Sequence, residues 1–402
     1  MTATADSQTS VTAWKSPVTS YYLLLTATSI LVLMGLAVVL SSSSISSIAS
    51  GSGSAYSGFV TQAIALVVGA TALLVGSRLS PATWKILGPI VLYVSMALLV
   101  AVPFIGTAVG GNKAWIRLGS FSFQPSELAK VGLALYLGVV LARFRHGLTT
   151  IKALLVPGGL MAGAVLALVL WGHDMGTALV LMALILVAFW VAGVPKRFFG
   201  MAGVALVIGL VALVNVGETR LARIEQWFTG SCENDSCWQQ QHGTWALASG
   251  GIGGLGPGMS REKWGYLPAS DNDFIFAIIG EEFGLIGTVL VLIAFALIVL
   301  AVNRIIQRSD DRFVQIAAAG IGAAVCIQAC INMAVVLEFL PVTGVPLPLV
   351  SAGGSSLIVS LLAMGVLMSF ARHEPGAQEV LTARPSLVRR SLSVLSKGRR
   401  RG

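Results

Sequence analysis

Charge is what this sequence has least of. Only 11% of its 402 residues are Asp, Glu, Lys or Arg, against roughly 25% in a soluble domain. A water-exposed surface for a chain of this length cannot be built from so few ionisable groups, which excludes a soluble enzyme, a disordered chain and a nucleic-acid-binding domain. Histidine and cysteine are equally sparse, at four each. The N-terminal stretch MTATADSQTSVTAWKSP lacks the basic, apolar and small-residue sequence of a cleaved signal and reads as a retained polar arm. What is abundant is apolar: 55% of residues are hydrophobic and mean hydropathy is +0.85, the composition of a polytopic membrane protein with lipid as its main solvent.

A helix needs about 20 apolar residues to cross roughly 30 Å of hydrocarbon. Ten stretches qualify: 20–41, 58–77, 85–108, 125–143, 153–172, 176–194, 198–216, 273–303, 313–340 and 347–371. They are continuously apolar, without the alternation of a membrane β-barrel. The expectation is an all-α integral membrane protein of ten transmembrane helices, with a tight turn at Gly172-His173-Asp174 between the fifth and sixth. If both termini are cytoplasmic, 19 of the 26 Lys and Arg residues fall on the cytoplasmic side, as the positive-inside rule requires. The organisation that follows is an N-terminal arm 1–19, a membrane domain 20–371 and a basic cytoplasmic tail 372–402. A large extracellular loop, 217–272, lies between helices 7 and 8. The tail has no aromatics and follows a span, so anionic headgroups suit it better than nucleic acid.

Polar residues at membrane depth are costly and tend to mark a site. They gather at the outer ends of a few helices. GGNKAWIRLGSFSFQPSELAK (110–130) carries Lys113, Arg117 and Lys130 as cations, Trp115 as an interfacial aromatic, and Glu127 in the first turn of a helix opened by Pro125. It is either a capped interfacial anchor or a pocket for an anionic headgroup. In the long outer loop, Arg220 and Arg223 share a helical face and reach anionic lipid or merely snorkel. Cys232 and Cys237, in SCENDSCW, suit a small disulfide-closed loop on an oxidising side of the membrane; zinc is the competing reading. Cys326 and Cys330, a helical turn apart, read as buried apolar residues. The glycine-dense SGGIGGLGPGMS (249–260) is no GxxxxGK[ST] phosphate loop; it is a spacer or backbone that re-enters the membrane edge.

In WGYLPASDNDFIFAIIGEEFG (264–284), Asp273 stands at the outer mouth of the eighth span, as a helix cap or as a reacting group. Glu281 and Glu282 lie about 12–14 Å deeper, at 1.5 Å per residue. Such buried carboxylates need partners from other helices or water, and they read as organisers of the bundle. Asp174 opens the sixth span as cap or site. The small residues Ser351, Ala352, Gly353, Gly354, Ser355 and Ser356 permit close helix packing or backbone contact with a ligand.

GNKAWIRLGSFSFQPSELAK, HDMGTA, DFIFAIIGEEFGLIG and INMAVVLEFLPVTGVPLPLVSAGGSSL together resemble the motifs of the SEDS proteins (shape, elongation, division and sporulation), in family order across 20–371. The resemblance implies a ten-span peptidoglycan glycosyltransferase, an inverting hexosyltransferase that polymerises lipid II into glycan strands at the outer face of the bacterial plasma membrane. It implies a single-span class B penicillin-binding protein as transpeptidase partner, together with other division proteins. The family's essential aspartate matches Asp273 as the catalytic base. Its substrate-side residues match Trp115, Gln124, Ser126, Glu127, Lys130, Asp174, Ser351, Gly353, Gly354 and Ser355. The family often has Arg before the Trp, where this chain has Ala114 with Lys113 and Arg117 nearby; Gln239 and His242 replace a family Tyr-Gln pattern loosely. The first span and DFIFAIIGEE look nearer the division-specific FtsW branch, acting at the septum of an actinobacterial cell, than the elongation-specific RodA branch.

In this reading Asp273 takes the proton of an attacking sugar hydroxyl. Lys113, Arg117, Lys130, Arg220 and Arg223 are candidates to stabilise the departing pyrophosphate. A divalent cation, Mg or Mn, stays open as cofactor. A lipid II flippase would use the same ten helices, but would place its polar residues near the midplane in inverted repeats. A non-catalytic scaffold is the third option.

Overall fold

The computed structural model describes residues 16–49, 56–109, 112–119, 121–144, 158–201, 203 and 238–383. Nearly all of the regular structure is helical, as the apolar stretches require, since a backbone in hydrocarbon must satisfy its own hydrogen bonds. The helices are α1 Thr19–Ala49, α2 Ser57–Arg78, α3 Pro81–Ile105, α4 Pro125–Leu141, α5 Leu160–Trp171, α6 Met175–Val191, α7 Trp238–Gly250, α8 Ile275–Arg308, α9 Arg312–Val336, α10 Gly354–Arg372 and α11 Ala377–Ala383. Six of them, α1, α2, α3, α8, α9 and α10, are long and apolar enough to cross a membrane. Most of the seventh apolar stretch, with the first part of the outer loop, lies outside the described residues. So do Arg220, Arg223, Cys232 and Cys237.

Local chemistry sets the helix starts. Ser80 caps α3 by accepting from Thr83 N at 3.2 Å, with Pro81 following it. Pro125 opens α4, and Asp311 caps α9 through Phe313 N at 3.0 Å. The expected tight turn before α6 is made by His173, whose φ of 63° is left-handed. At the core, α9 and α10 are mostly buried. α10 packs on α2, α3 on α4, α8 on α1, and α9 on α4, α6 and α8.

One end of this bundle gathers the basic residues. Arg304 donates to Ser20 Oγ and the Ser16 carbonyl, Arg308 pairs with Glu374 at 2.9 Å, and Lys85 pairs with Asp311 at 2.7 Å. The start of α1 and the end of α10 therefore lie at the same end.

Four expectations are corrected. First, the segment after α3 is a three-stranded antiparallel sheet: β1 Thr107–Val109, β2 Asn112–Leu118 and β3 Phe121–Phe123, in the order β1-β2-β3. The fold is therefore helical but not strictly all-α. Its register pairs Thr107 with Trp115 and Arg117 with Ser122. Ala114 and Ile116 are buried while Lys113, Trp115 and Arg117 face the other way, the two-residue alternation of a strand.

Second, the eighth span begins at Ile275 and is interrupted at Gly284, with φ 64° and ψ −159°. The glycine-dense segment fills the break. Leu255 N and Gly256 N donate to the carbonyls of Glu281 and Glu282, which the interrupted helix leaves free, at 2.9 and 3.0 Å. Leu285 N donates to the Gly251 carbonyl at 2.9 Å. A side chain at Gly284 would strike Gly254 N at 2.4 Å, so both the φ and the space demand glycine there.

Third, Cys330 is exposed on α9, whereas Cys326, a turn earlier, is half-buried against the core. Lipid accepts a thiol as readily as a protein interior does, so nothing forces either inward. Fourth, residues 347–353 form a loop rather than the start of the last span, and α10 begins at Gly354.

Candidate active site

At the end of the bundle opposite the basic cluster, the segment Asp271-Asn272-Asp273 runs into α8. Its three successive carbonyls are each held. Ala352 N donates to the Asp271 carbonyl at 2.8 Å, Ser351 Oγ to that of Asn272 at 2.7 Å, and Asn332 Nδ2 to that of Asp273 at 2.7 Å. Ser351 Oγ also accepts from Leu347 N, and Asn332 Nδ2 reaches the Val345 carbonyl at 2.8 Å. Gln62 of α2 grips the same loop from behind, donating to the Ser351 carbonyl and accepting from Gly353 N at 3.1 and 3.2 Å. The loop 341–353 is thus a buckle around the backbone of Asp273.

The Asp273 side chain is only half-buried, yet its Oδ1 has no accessible area and no protein partner. Burial, then the neighbouring carboxylates of Asp271 and Asp174, push its pKa from 3.8 up to about 6. Asp271 is also raised by burial. A carboxylate that is unpaired and poised near neutrality, just outside the span, can take a proton from a neutral nucleophile.

Around it, Asp174 both caps α6, through Thr177 N at 3.0 Å, and accepts from Gln124 Nε2 at 2.8 Å. Gln124 N donates to Ser355 Oγ at 3.4 Å, tying the β3–α4 junction to the start of α10. Ser126, whose Oγ has no partner, shares with Asp174 and Lys113 a cavity of about 10 Å³. Lys113 Nζ is spent on the Pro103 carbonyl at 2.5 Å. Arg117 is exposed, on the strand face that also carries Trp115.

Glu127 and Lys130 lie deeper. They pair at 2.7 Å with side chains only 4% and 7% exposed, and Lys130 also donates to Gln328 of α9 at 2.5 Å, while Ser356 Oγ of α10 reaches Glu127 at 3.4 Å. The adjoining cavity is about 20 Å³, room for about one water. That geometry bolts α4, α9 and α10 together.

Glu281 and Glu282 receive the partners that burial demands, from the loop before α8 and from α1. Ser260 Oγ and Arg261 N donate to Glu281 at 2.5 and 2.8 Å; Lys263 Nζ at 3.1 Å and Ser41 Oγ at 2.5 Å serve Glu282. The Lys263 side chain is 3% exposed. His242 Nδ1 meets Glu262 at 2.5 Å, and Gln239 donates to the Pro268 carbonyl at 2.9 Å, so both secure the loop leading to Asp273. Among the described residues no three His, Cys, Asp or Glu side chains converge as a metal site.

Sequence reasoning passed over Asn332, Gln62, Gln328 and Lys263. The first three are uncharged amides inside expected spans, where any polar side chain signals a partner.

Fold and site define a multi-pass helical membrane protein with a clamped acidic group at the end of its bundle. The FtsW/RodA/SpoVE family model, described as "Cell cycle protein", matches residues 21–375, and the chain belongs to that family. It is 36% identical over 375 residues to the "Probable peptidoglycan glycosyltransferase FtsW" of Mycobacterium tuberculosis, covering 92% of this chain and 71% of the relative. It is 35% identical to the "Stage V sporulation protein E" of Bacillus subtilis over 295 residues, 72% of this chain and 80% of that one. Among solved structures it is similar to a chain described under "Structural coordination of polymerization and crosslinking by a peptidoglycan synthase complex", with TM-score 0.71, 26% identity, and 87% and 96% of the two chains covered. The rod shape determining protein RodA of Thermus thermophilus superposes with TM-score 0.64 at 25% identity, over 87% and 96% of the two chains.

Proposed function

We propose that this protein is a peptidoglycan glycosyltransferase that polymerises lipid II at the outer face of the plasma membrane, at the division septum, with Asp273 as its general base. Mechanistically, the Asp273 carboxylate accepts the proton of a sugar hydroxyl on one lipid-linked disaccharide as that oxygen attacks the anomeric carbon of another. The bond to the polyprenyl pyrophosphate breaks, and single-step attack inverts the anomeric centre. A positioned base contributes about 10²–10⁴-fold.

The observation that carries the reading is the single unpaired Oδ1 of Asp273, buried beside the membrane boundary on a backbone held at three carbonyls. That is where a substrate with a buried lipid and an exposed sugar presents its reacting atoms. Arg117, exposed on the same strand face as Trp115, is a candidate to meet the pyrophosphate; Arg220 and Arg223 join it in this proposal. Among the described residues no cluster of three or more His, Cys, Asp or Glu offers a cage for Mg or Mn.

Ten spans, both termini cytoplasmic, and a class B penicillin-binding protein as transpeptidase partner complete the proposal. The division role follows the relatives named FtsW; elongation is the alternative. The test is gel analysis of glycan strands made from lipid II by purified protein, alone and with the cognate transpeptidase. Strands from wild type and none from Asp273→Ala are expected; equal strands from both would overturn the assignment.

A lipid transporter is the second reading, favoured by the interrupted α8 with its two buried glutamates. Both glutamates are already paired and the interruption is filled by residues 251–256. A reconstituted lipid-flipping assay separates the two.

A further inference from the structure

We infer that Asn332 is a positioning residue for this reaction: its carboxamide sets where the Asp273 carboxylate points, by tying the backbone of Asp273 to loop 341–353. The inference rests on the reading of Asp273 as base.

Asn332 is 2% exposed, on the face of α9 one turn beyond Gln328. Its Nδ2 supplies two hydrogen bonds, to the carbonyls of Asp273 and Val345 at 2.7 and 2.8 Å. Both neighbours are acceptors, so only the nitrogen can face them, and the orientation of the amide is chemically determined. Asn332 thereby joins α9, the lead into α8 and loop 341–353 at one point. The same loop contributes Gly344, whose φ is 70° and where an added Cβ would lie 3.7 Å from Asp273 Oδ2. Asn332 therefore fixes the carboxylate from both sides, through the backbone that bears it and through the wall that it faces. Ser351 holds the preceding carbonyl, which assigns it to the same buckle rather than to substrate contact.

Displacing a catalytic group by about 1 Å can cost about a hundredfold in rate. Asn332→Ala in the full-length protein with its transpeptidase partner should lower kcat for lipid II polymerisation by about tenfold to a hundredfold, with KM held within about threefold. The acid limb of its pH profile should also move, because the carboxylate shifts relative to Asp271 and Asp174. Ser351→Ala should show the same split between kcat and KM, and it serves if the Asn332 variant does not fold. A kcat within twofold of wild type in a folded Asn332→Ala protein overturns the inference. So does a raised KM with kcat unchanged, which would mark substrate contact, or a lowered kcat with an unmoved acid limb, which would mark a general loss of structure. Asp273→Asn run beside them separates the two claims: if it is active, the base assignment fails; if it is inactive while Asn332→Ala is unimpaired, only the positioning role does.

Discussion

Replacing Asp273 with Asn should destroy activity and stabilise the fold at once. The side chain is isosteric, so packing against Gly344 and the three carbonyl hydrogen bonds below it survive. Polymerisation should fall by about 10²–10⁴-fold, because the amide cannot take a proton. Stability should move the other way. Holding the carboxyl at about 6 rather than 3.8 disfavours the ionised folded protein by about 3 kcal/mol. Partial exposure and solvent screening reduce this to on the order of 1–2 kcal/mol, and the melting temperature should rise by on the order of 2 °C.

The sign has a further consequence. Between pH 3.8 and about 6 the folded protein binds more protons at this site than the unfolded chain. Wild type should therefore gain stability as pH falls through that window, and the variant should lack that increment. Glycan-strand gels and thermal melting in the same detergent, at pH 7 and pH 5, measure all of this. Activity within a few-fold of wild type, or a melting temperature that drops, would refute the claim that an unpaired base sits in this position.

Wild-type kcat/KM should itself show an acid limb near pH 6, falling to about a tenth of its plateau at pH 5, and Asp271→Asn should move that limb to lower pH by removing a neighbouring negative charge. A limb near pH 4, or one that Asp271→Asn leaves in place, would count against the electrostatics described. Lys263→Met strands Glu282 inside the bundle and should cost roughly 3–5 kcal/mol, read as a lower melting temperature, with much of it regained in the double variant with Glu282→Leu. Gly250→Ala would set its Cβ 1.9 Å from the Gly280 carbonyl oxygen and should dislodge the loop from α8, exposing 251–260 to protease. Gly253→Ala, with nothing within 4 Å, should not.

The architecture was legible because lipid imposes a simple demand. Long apolar runs must become helices, and carboxylates near their ends must do something. The placement of Asp273, the capping by Asp174 and the need of Glu281 and Glu282 for partners all follow from single stretches of chain. The sheet at 107–123 left a signal in the alternation of KAWIR, but a search for apolar runs does not look for period two. The interruption at Gly284 left none, because a lone glycine in a span is ordinary until another backbone is found against it.

Composition and apolar periodicity, which are local properties, determine by themselves that this chain is helical and membrane-embedded, with carboxylates near the ends of its apolar runs. Tertiary structure alone decides which polar groups are spent and which are free. Lys113, Glu127, Lys130, Glu281, Glu282 and Lys263 read alike along the chain, yet each is consumed by a partner up to 241 residues away, while one oxygen of Asp273 is left unpaired. Pairing depends on which distant segments the fold brings within 3 Å, and the energy of a buried charge depends almost entirely on that pairing.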